Sequence, residues 1–395
     1  MYAFRKPFTA GTFEEVILWG IGYKTVLIAA QLAGYTISKF VGIKIIAEMP
    51  PARRATTLLG LIALAELSLL LFAVIPPPYN FVMLFFNGLP LGMVFGLVLA
   101  YLEGRQMTEA LAAGLCASFI VSSGWVRSIG RYLIQWGVSE YWMPFLTGLF
   151  FIVPLLISVW LLCQIPKPNE KDIQHRSQRT PMTKVERKAF FKRHRIGLLG
   201  LLLIYVVLTI MRTIRDDFSV ELWRDLGHAD KPDIFAKSET LVMFGVVGIN
   251  GAACWITSNR KAFLGSLGLV VTGFLLALFT LIAQLQGLLS PFTFMVLIGL
   301  GTYIPYVAFH TTVFERLLAA FRETGNIGYV MYLADAVGYL GTIGVMACHN
   351  LADWEVDFVT LFVRLSMLIA TLAIGVTLFL IWHYQKHLPE SHEPE

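Results

Sequence analysis

Residues 55–75, ATTLLGLIALAELSLLLFAVI, hold a single ionisable side chain, Glu66. A helix of that length crosses the roughly 30 Å hydrocarbon core of a bilayer. A membrane barrel would need segments of about ten residues that alternate polar and apolar, and the stretch has no such alternation. Working outward, apolar runs of similar length cover 24–47, 79–103, 108–134 and 141–165. Beyond a charged stretch follow 196–220, 238–258, 262–286, 291–317, 326–348 and 357–384. Composition agrees: 56% of residues are hydrophobic and 14% charged, against about 25% charge in a soluble domain. Soluble enzymes and disordered or fibrous chains are thereby excluded. The chain reads as an all-α polytopic protein whose solvent is the lipid bilayer. The opening residues, MYAFRKPFTAG, are too short to cross. They read as the tail of a twelfth span, a first helix that is truncated here and begins upstream.

The net charge of +5 is unevenly spread. Residues 166–195 carry ten Lys or Arg against Glu170, Asp172 and Glu186, a local +7 that leaves the remainder near −2. A basic run beside membrane spans reads as a cytoplasmic loop rather than a nucleic-acid surface. Arg53, Arg54, Arg105, Arg260, Lys261 and Arg322 fall on every second connection, while the alternate loops hold Pro76-Pro77-Pro78, Glu140, Asp353, Glu355 and Asp357. The positive-inside rule puts the basic connections and the C-terminus in the cytoplasm, with a bacterial inner membrane as the expected location. The domain reading is an N-terminal six-helix half at 1–165, a basic linker at 166–195, and a C-terminal half with a short tail at 196–395. Cys116, Cys163, Cys254 and Cys348 lie in different apolar runs with neither metal spacing nor a disulfide pattern. No phosphate-cradling loop, HExxH or nucleophile elbow is present, so neither a cofactor nor an enzymatic activity is expected.

An internal repeat supports the division. GLPLGMVFGLVLAYLEGR at 88–105 parallels GLGTYIPYVAFHTTVFER at 299–316, each with a mid-helix proline, Pro90 and Pro305, and a terminal Glu with a nearby Arg. Repeated halves with a site at their interface near the bilayer midplane are a transporter design.

Four short motifs carry a resemblance. They are Tyr2-Ala3-Phe4-Arg5-Lys6-Pro7-Phe8, Gly34-Tyr35 followed by Ser38-Lys39-Phe40, Arg212-Thr213 followed by Asp217-Phe218, and Gly338-Tyr339-Leu340-Gly341. In this order and on these helices the chain resembles the major facilitator superfamily, and within it the organophosphate:phosphate antiporters. Over its whole length it also resembles an uncharacterised bacterial family labelled as a domain of unknown function. The antiporters' fifth-helix histidine has no counterpart; Ser122-Ser123-Gly124-Trp125-Val126-Arg127-Ser128-Ile129-Gly130-Arg131 brings two arginines instead.

The resemblance implies a 6+6 helix fold and a monomeric secondary transporter of a small organic anion, an organophosphate, working by exchange or ion coupling. Arg5 and Arg212 would face each other from the first and seventh helices, and Lys39 would add a third cation from the second. A guanidinium offers a planar fork that grips phosphate or carboxylate with two hydrogen bonds. Charges inside the bilayer cost roughly 2.5–3.5 kcal/mol, so they persist where something rewards them. The secondary candidates are Lys6, Tyr35, Arg127, Arg131, Arg215, Asp217, His310 and Asp335. Asp217 would hold Arg212 or Arg215 in the empty state, and Asp335 would pair with Arg127 or Arg131. Plainer readings stay open: Arg5 snorkelling to an interface, Lys39 fixing topology, and Arg212 to Asp217 forming a solvated helix end. Two alternatives remain, a proton-coupled carrier of another solute with Asp335 and Glu66 as its proton groups, and a transporter-like membrane sensor.

Overall fold

The computed structural model describes residues 1–47, 49–102, 108–166, 191–228, 231–253, 256, 258–321, 327–351 and 358–388. Glu48, Glu103, Arg105, Cys254, Arg322, the acidic 353–357 loop and most of the basic linker lie outside these residues. The helices are α1 (Tyr23–Ala47), α2 (Arg54–Val74), α3 (Phe81–Leu102), α4 (Thr108–Gln135), α5 (Met143–Phe150), α6 (Ile152–Cys163) and α7 (Arg195–Asp217). They continue with α8 (Ser219–Asp225), α9 (Asp233–Ala253), α10 (Asn259–Leu285), α11 (Pro291–Ala308), α12 (Phe314–Ala320), α13 (Ile327–Leu351) and α14 (Phe358–His387). Among the described residues seven helices are long and apolar enough to cross a membrane, and the bent pair α5–α6 makes an eighth. The helices α1, α9 and α13 have membrane length too, at 25, 21 and 25 residues. All three take part in joining the chain's two parts: α1 packs on α13, and α9 packs on α4. Polar side chains are tolerated there because those helices face protein rather than lipid.

The opening residues do not continue an α-helix. Tyr2–Phe4 and Pro7–Ala10 form two 3-10 turns, buried inside the bundle. Pro7 has no N–H to continue the turn, so the ladder is interrupted there although Lys6 keeps helical backbone (φ −103°, ψ −4°). A two-residue hairpin follows, Ile17–Leu18 against Ile21–Gly22. Its turn residues Trp19 and Gly20 both have positive φ (55° and 75°), as a right-twisted two-residue hairpin requires.

Two further breaks fall where proline removes a donor. Pro154, at the third position of α6, cannot bond back to Phe150, and the α5–α6 pair bends by 44° there. Beyond Pro305, α11 passes into a π turn over Phe309–Val313 before resuming as α12. Such turns recur at functional sites, and this one carries His310.

The close helix contacts need glycine. A Cβ on Gly34 would strike the carbonyl of Phe85, and one on Gly88 that of Gln31, so α1 and α3 meet backbone to backbone. Gly124 does the same for α4 against the carbonyl of Phe235 on α9, where Ser128 also accepts from the Ala236 N–H at 3.0 Å. The helix ends sort into two groups. Tyr23 meets Pro78, and Thr12 meets Glu140, at the hairpin end. Arg54 bonds to Ala100, Arg260 to Gln385 and Arg316 to Asn259 at the other. Arg54, Arg260 and Arg316 thus lie at one end of the bundle, whereas Arg224 pairs with Glu14 at the hairpin end.

Candidate functional site

Arg5 follows the first 3-10 turn, and its position is set by two amides. Gln31 donates to the Arg5 carbonyl at 2.6 Å and to Asn87 at 2.7 Å. Asn87 donates in turn to the carbonyls of Phe4 and Ala65, both at 2.9 Å. The Arg5 guanidinium is buried, with Cζ 3.9 Å from the centre of the Tyr35 ring and 5.6 Å from that of Tyr339. Arg212, on α7, is equally buried and lies 4.3 Å over the Tyr306 ring. Its Nη2 reaches Thr213 Oγ1 at 3.4 Å, a distance at which a hydrogen bond counts for little. Neither Nε finds an acceptor, and among the described residues no carboxylate comes within 4 Å of either guanidinium. Tyr2 and Tyr339 lie within electrostatic reach of both arginines, which sets the two side chains around one group of rings. A desolvated cation–π contact returns about 2 kcal/mol, less than the roughly 2.5–3.5 kcal/mol that an arginine costs inside a bilayer. Neither cation has a direct carboxylate partner among the described residues, although Asp217 lies within electrostatic reach of Arg5 and Asp216 of Arg212.

A cavity of about 20 Å³ lies beside Arg5, bounded by Lys39, His310, Asp335 and the rings of Tyr35, Tyr306 and Tyr339. It has room for one water molecule, whereas small-molecule pockets run to roughly 300 Å³ or more. The helices are closed on the site. Lys39, expected to be available to a ligand, is neutralised: its Nζ lies 2.8 Å from Asp335 across the α1–α13 contact. Asp335 therefore pairs with Lys39, not with Arg127 or Arg131. It also accepts from the Tyr205 hydroxyl, which lies 3.3 Å from His310 Nε2. The other His310 nitrogen is 2.9 Å from the Tyr306 carbonyl, one helical turn back. Arg131 is half-buried on α4 and does not line the cavity.

The remaining candidates fall into a second cluster toward the hairpin end. Lys6 pairs with Asp217 and lies 3.5 Å from Asp216. Arg127 meets Asp216 at 2.6 Å, and its Nε donates to Thr9 at 3.1 Å. Ser123 donates to the same Asp216 oxygen at 2.5 Å. Lys24 joins Glu221 at 2.7 Å and the Thr9 carbonyl at 3.0 Å. Asp217 thus holds Lys6 rather than Arg212 or Arg215. Arg215 instead turns to Glu239 and the Met295 carbonyl, both at 2.8 Å. These charges are not a solvated helix end either: Arg212, Arg215, Asp216 and Asp217 are each at most 4% exposed. Cations from the first 24 residues and α4 meet carboxylates of α7 and α8, so the cluster fastens the two parts of the chain together.

Sequence reading named Tyr35 as a candidate, held Tyr2 and Tyr339 only within motifs, and missed Tyr205 and Tyr306. A signal was present in Tyr303, Tyr306 and His310, which at i, i+3 and i+7 share one helix face. Among the described residues no group of three His, Cys, Asp or Glu side chains is placed to hold a metal.

Comparison with solved structures gives the architecture a name. A D-xylose-proton symporter superposes with a TM-score of 0.58 at 14% identity, over 98% of this chain and 95% of that one. A partially occluded inward open form of the xylose transporter XylE from E. coli gives 0.59 at 13%, over 100% and 95%. The human organic anion transporter MFSD10 (TETRAN) gives 0.55 at 15%, over 91% and 82%. The chain is an integral, multi-pass, all-α membrane protein of the major facilitator fold. No curated protein matches it in sequence. Residues 7–387 do match one family over almost the whole length, and the chain belongs to it: the Family of unknown function (DUF5690).

Proposed function

We propose that the protein is a secondary transporter of a small organic anion, an organophosphate, that works by alternating access. One observation carries this reading: two buried guanidinium groups, from the opening segment and from α7, lie among a group of tyrosine rings and have no direct carboxylate partner among the described residues. Their forks suit the planar oxygens of phosphate or carboxylate, and two positive charges suit a dianion. Among the solved structures named above, the organic anion transporter has a cargo class that two cations suit; a neutral sugar would leave both cations uncompensated. The substrate would draw the first six helices and the last six together as two halves, with the basic 166–195 stretch as their cytoplasmic linker. With the cavity closed, Lys6–Asp217, Arg127–Asp216 and Lys24–Glu221 lock the hairpin end. Opening toward that side must break these pairs. Lys39 and Asp335 bound the same cavity, so an entering anion competes with Asp335 for Lys39.

The test is reconstitution in proteoliposomes loaded with inorganic phosphate. Externally added glycerol phosphate or hexose phosphate should exchange with it, and should raise the melting temperature of the purified protein. Neither exchange nor stabilisation by any of a panel of phosphates and carboxylates would defeat the reading. Cysteines placed beside Arg260 should label from the cytoplasmic side; labelling only from outside would overturn the orientation.

A further inference from the structure

Glu66 stands apart from both clusters. It lies within α2, is 9% exposed, and neither carboxyl oxygen meets a donor among the described residues. Its carboxyl rests against Gly148 in the last turn of α5, where even a methyl group would collide with it. The elements packed on α2 bring no charge to it. Helices α3, α5 and α6 contain no Asp, Glu, Lys or Arg; α3 ends near the phenol of Tyr101, and α6 ends at the thiol of Cys163. The first 3-10 turn adds Tyr2, which stacks on Phe119. Arg5, one residue further on, faces Tyr35 and Tyr339. Tyr141, just before α5, packs on Phe72, nearly two turns along α2. Arg53 and Arg54 sit at the start of α2, about 18 Å away at 1.5 Å per residue.

A carboxylate in such surroundings has lost water and gained nothing in exchange, so the neutral acid is the form that fits. The site adds a second reason. Gly148 lies in the final turn of α5, three residues before the 44° bend at Phe151. The C-terminal end of a helix is its negative pole, which disfavours a carboxylate beside it.

We propose that Glu66 is a proton-binding site, a carboxylic acid held neutral between α2 and the α5–α6 bend. One oxygen takes a proton from water as the contact closes, and returns it to water as the contact opens. The hydrogen bonds around it give this site a route to the arginine. The Ala65 carbonyl, adjacent to Glu66, accepts from Asn87, which also bonds to Phe4 and Gln31, and Gln31 bonds to the carbonyl of Arg5. A shift of α2 against α5 on proton loss is thereby passed to the segment that carries Arg5. The route to Arg5 rests on the transport reading above; the proton site does not.

Infrared titration of the purified protein in lipid reads the proton without any substrate. Wild type should show the carbonyl stretch of a protonated carboxylic acid at neutral pH, fading as pH rises, and Glu66→Gln should lack it. Stability gives a second readout. The folded protein keeps a proton that an exposed glutamate in the unfolded chain has already released, so stability should fall as pH rises through the titration. Glu66→Gln should lose that slope. Gly148→Ala keeps the carboxyl but crowds it and should move the pH at which the band fades, which serves if Glu66→Gln does not fold. Wild-type and Glu66→Gln spectra that coincide at neutral pH overturn the proposal, as does a band that Gly148→Ala leaves unmoved. Because these readouts need no anion, they can fail while phosphate exchange succeeds, and the reverse.

Discussion

Replacing Arg212 by methionine separates a cation kept for a ligand from one kept for the fold. Without a ligand the guanidinium is 4% exposed, lies 4.3 Å over Tyr306, and has no carboxylate within 4 Å among the described residues. An arginine inside the bilayer costs roughly 2.5–3.5 kcal/mol, of which a desolvated cation–π contact returns about 2. The 3.4 Å approach to Thr213 adds little. Methionine is flexible enough to fill the space left behind. The ligand-free variant should therefore be more stable than wild type by about 1 kcal/mol, the difference between those two figures. Anion binding should move the other way. A charged hydrogen bond is worth roughly 1.5–3 kcal/mol, so affinity for inorganic phosphate or a phosphate ester should fall by about ten- to a hundredfold. Arg212→Lys keeps the charge without the fork and should fall between the two proteins. Denaturant titration in micelles, with binding measured on the same samples, reads both effects. A ligand-free Arg212→Met protein that is clearly less stable than wild type, yet binds phosphate as well, would show Arg212 to be structural and refute the reasoning.

Asp216→Ala leaves Arg127 buried without its carboxylate, while Lys6 keeps Asp217, and should cost about 3–5 kcal/mol in the same denaturant titration. Arg224→Lys, at an exposed pair with Glu14, should change stability by less than about 1 kcal/mol and serves as its control. Lys39→Met and Asp335→Leu should each destabilise the protein, and the double variant should recover most of the loss, because an ion pair removed whole strands no charge; a double-mutant cycle measures this. Gly88→Val should fail to give a monodisperse protein on size exclusion, since its side chain would enter the α1 backbone, whereas Gly60→Ala, which meets open space, should behave as wild type.

The sequence by itself determined that this chain is a bundle of membrane helices and roughly where each helix lies. That follows from one cost: an unsatisfied backbone group in hydrocarbon forces a helix wherever the chain stays apolar for about twenty residues. The stretch 55–75 and helix α2, Arg54–Val74, coincide for this reason. Proline was also legible as a mid-helix feature, though the π turn beyond Pro305 and the bend at Phe151 depend on how the neighbouring helices pack. Sequence could likewise name the ionisable groups worth attention, because each is costly where it sits. It could not pair them. Lys39 and Asp335 are 296 positions apart and Lys6 and Asp217 are 211 apart, and no local pattern connects them. Only the meeting of α1 with α13, and of the opening turns with α7, decided that Lys39 is neutralised while Arg5 and Arg212 are not. The same holds for Glu66: the sequence shows a lone carboxyl on an apolar helix, and the absence of any facing charge comes from the helices that fold against it. An ion pair is a property of two surfaces brought together, so its partners are fixed by packing at distances the chain does not encode locally.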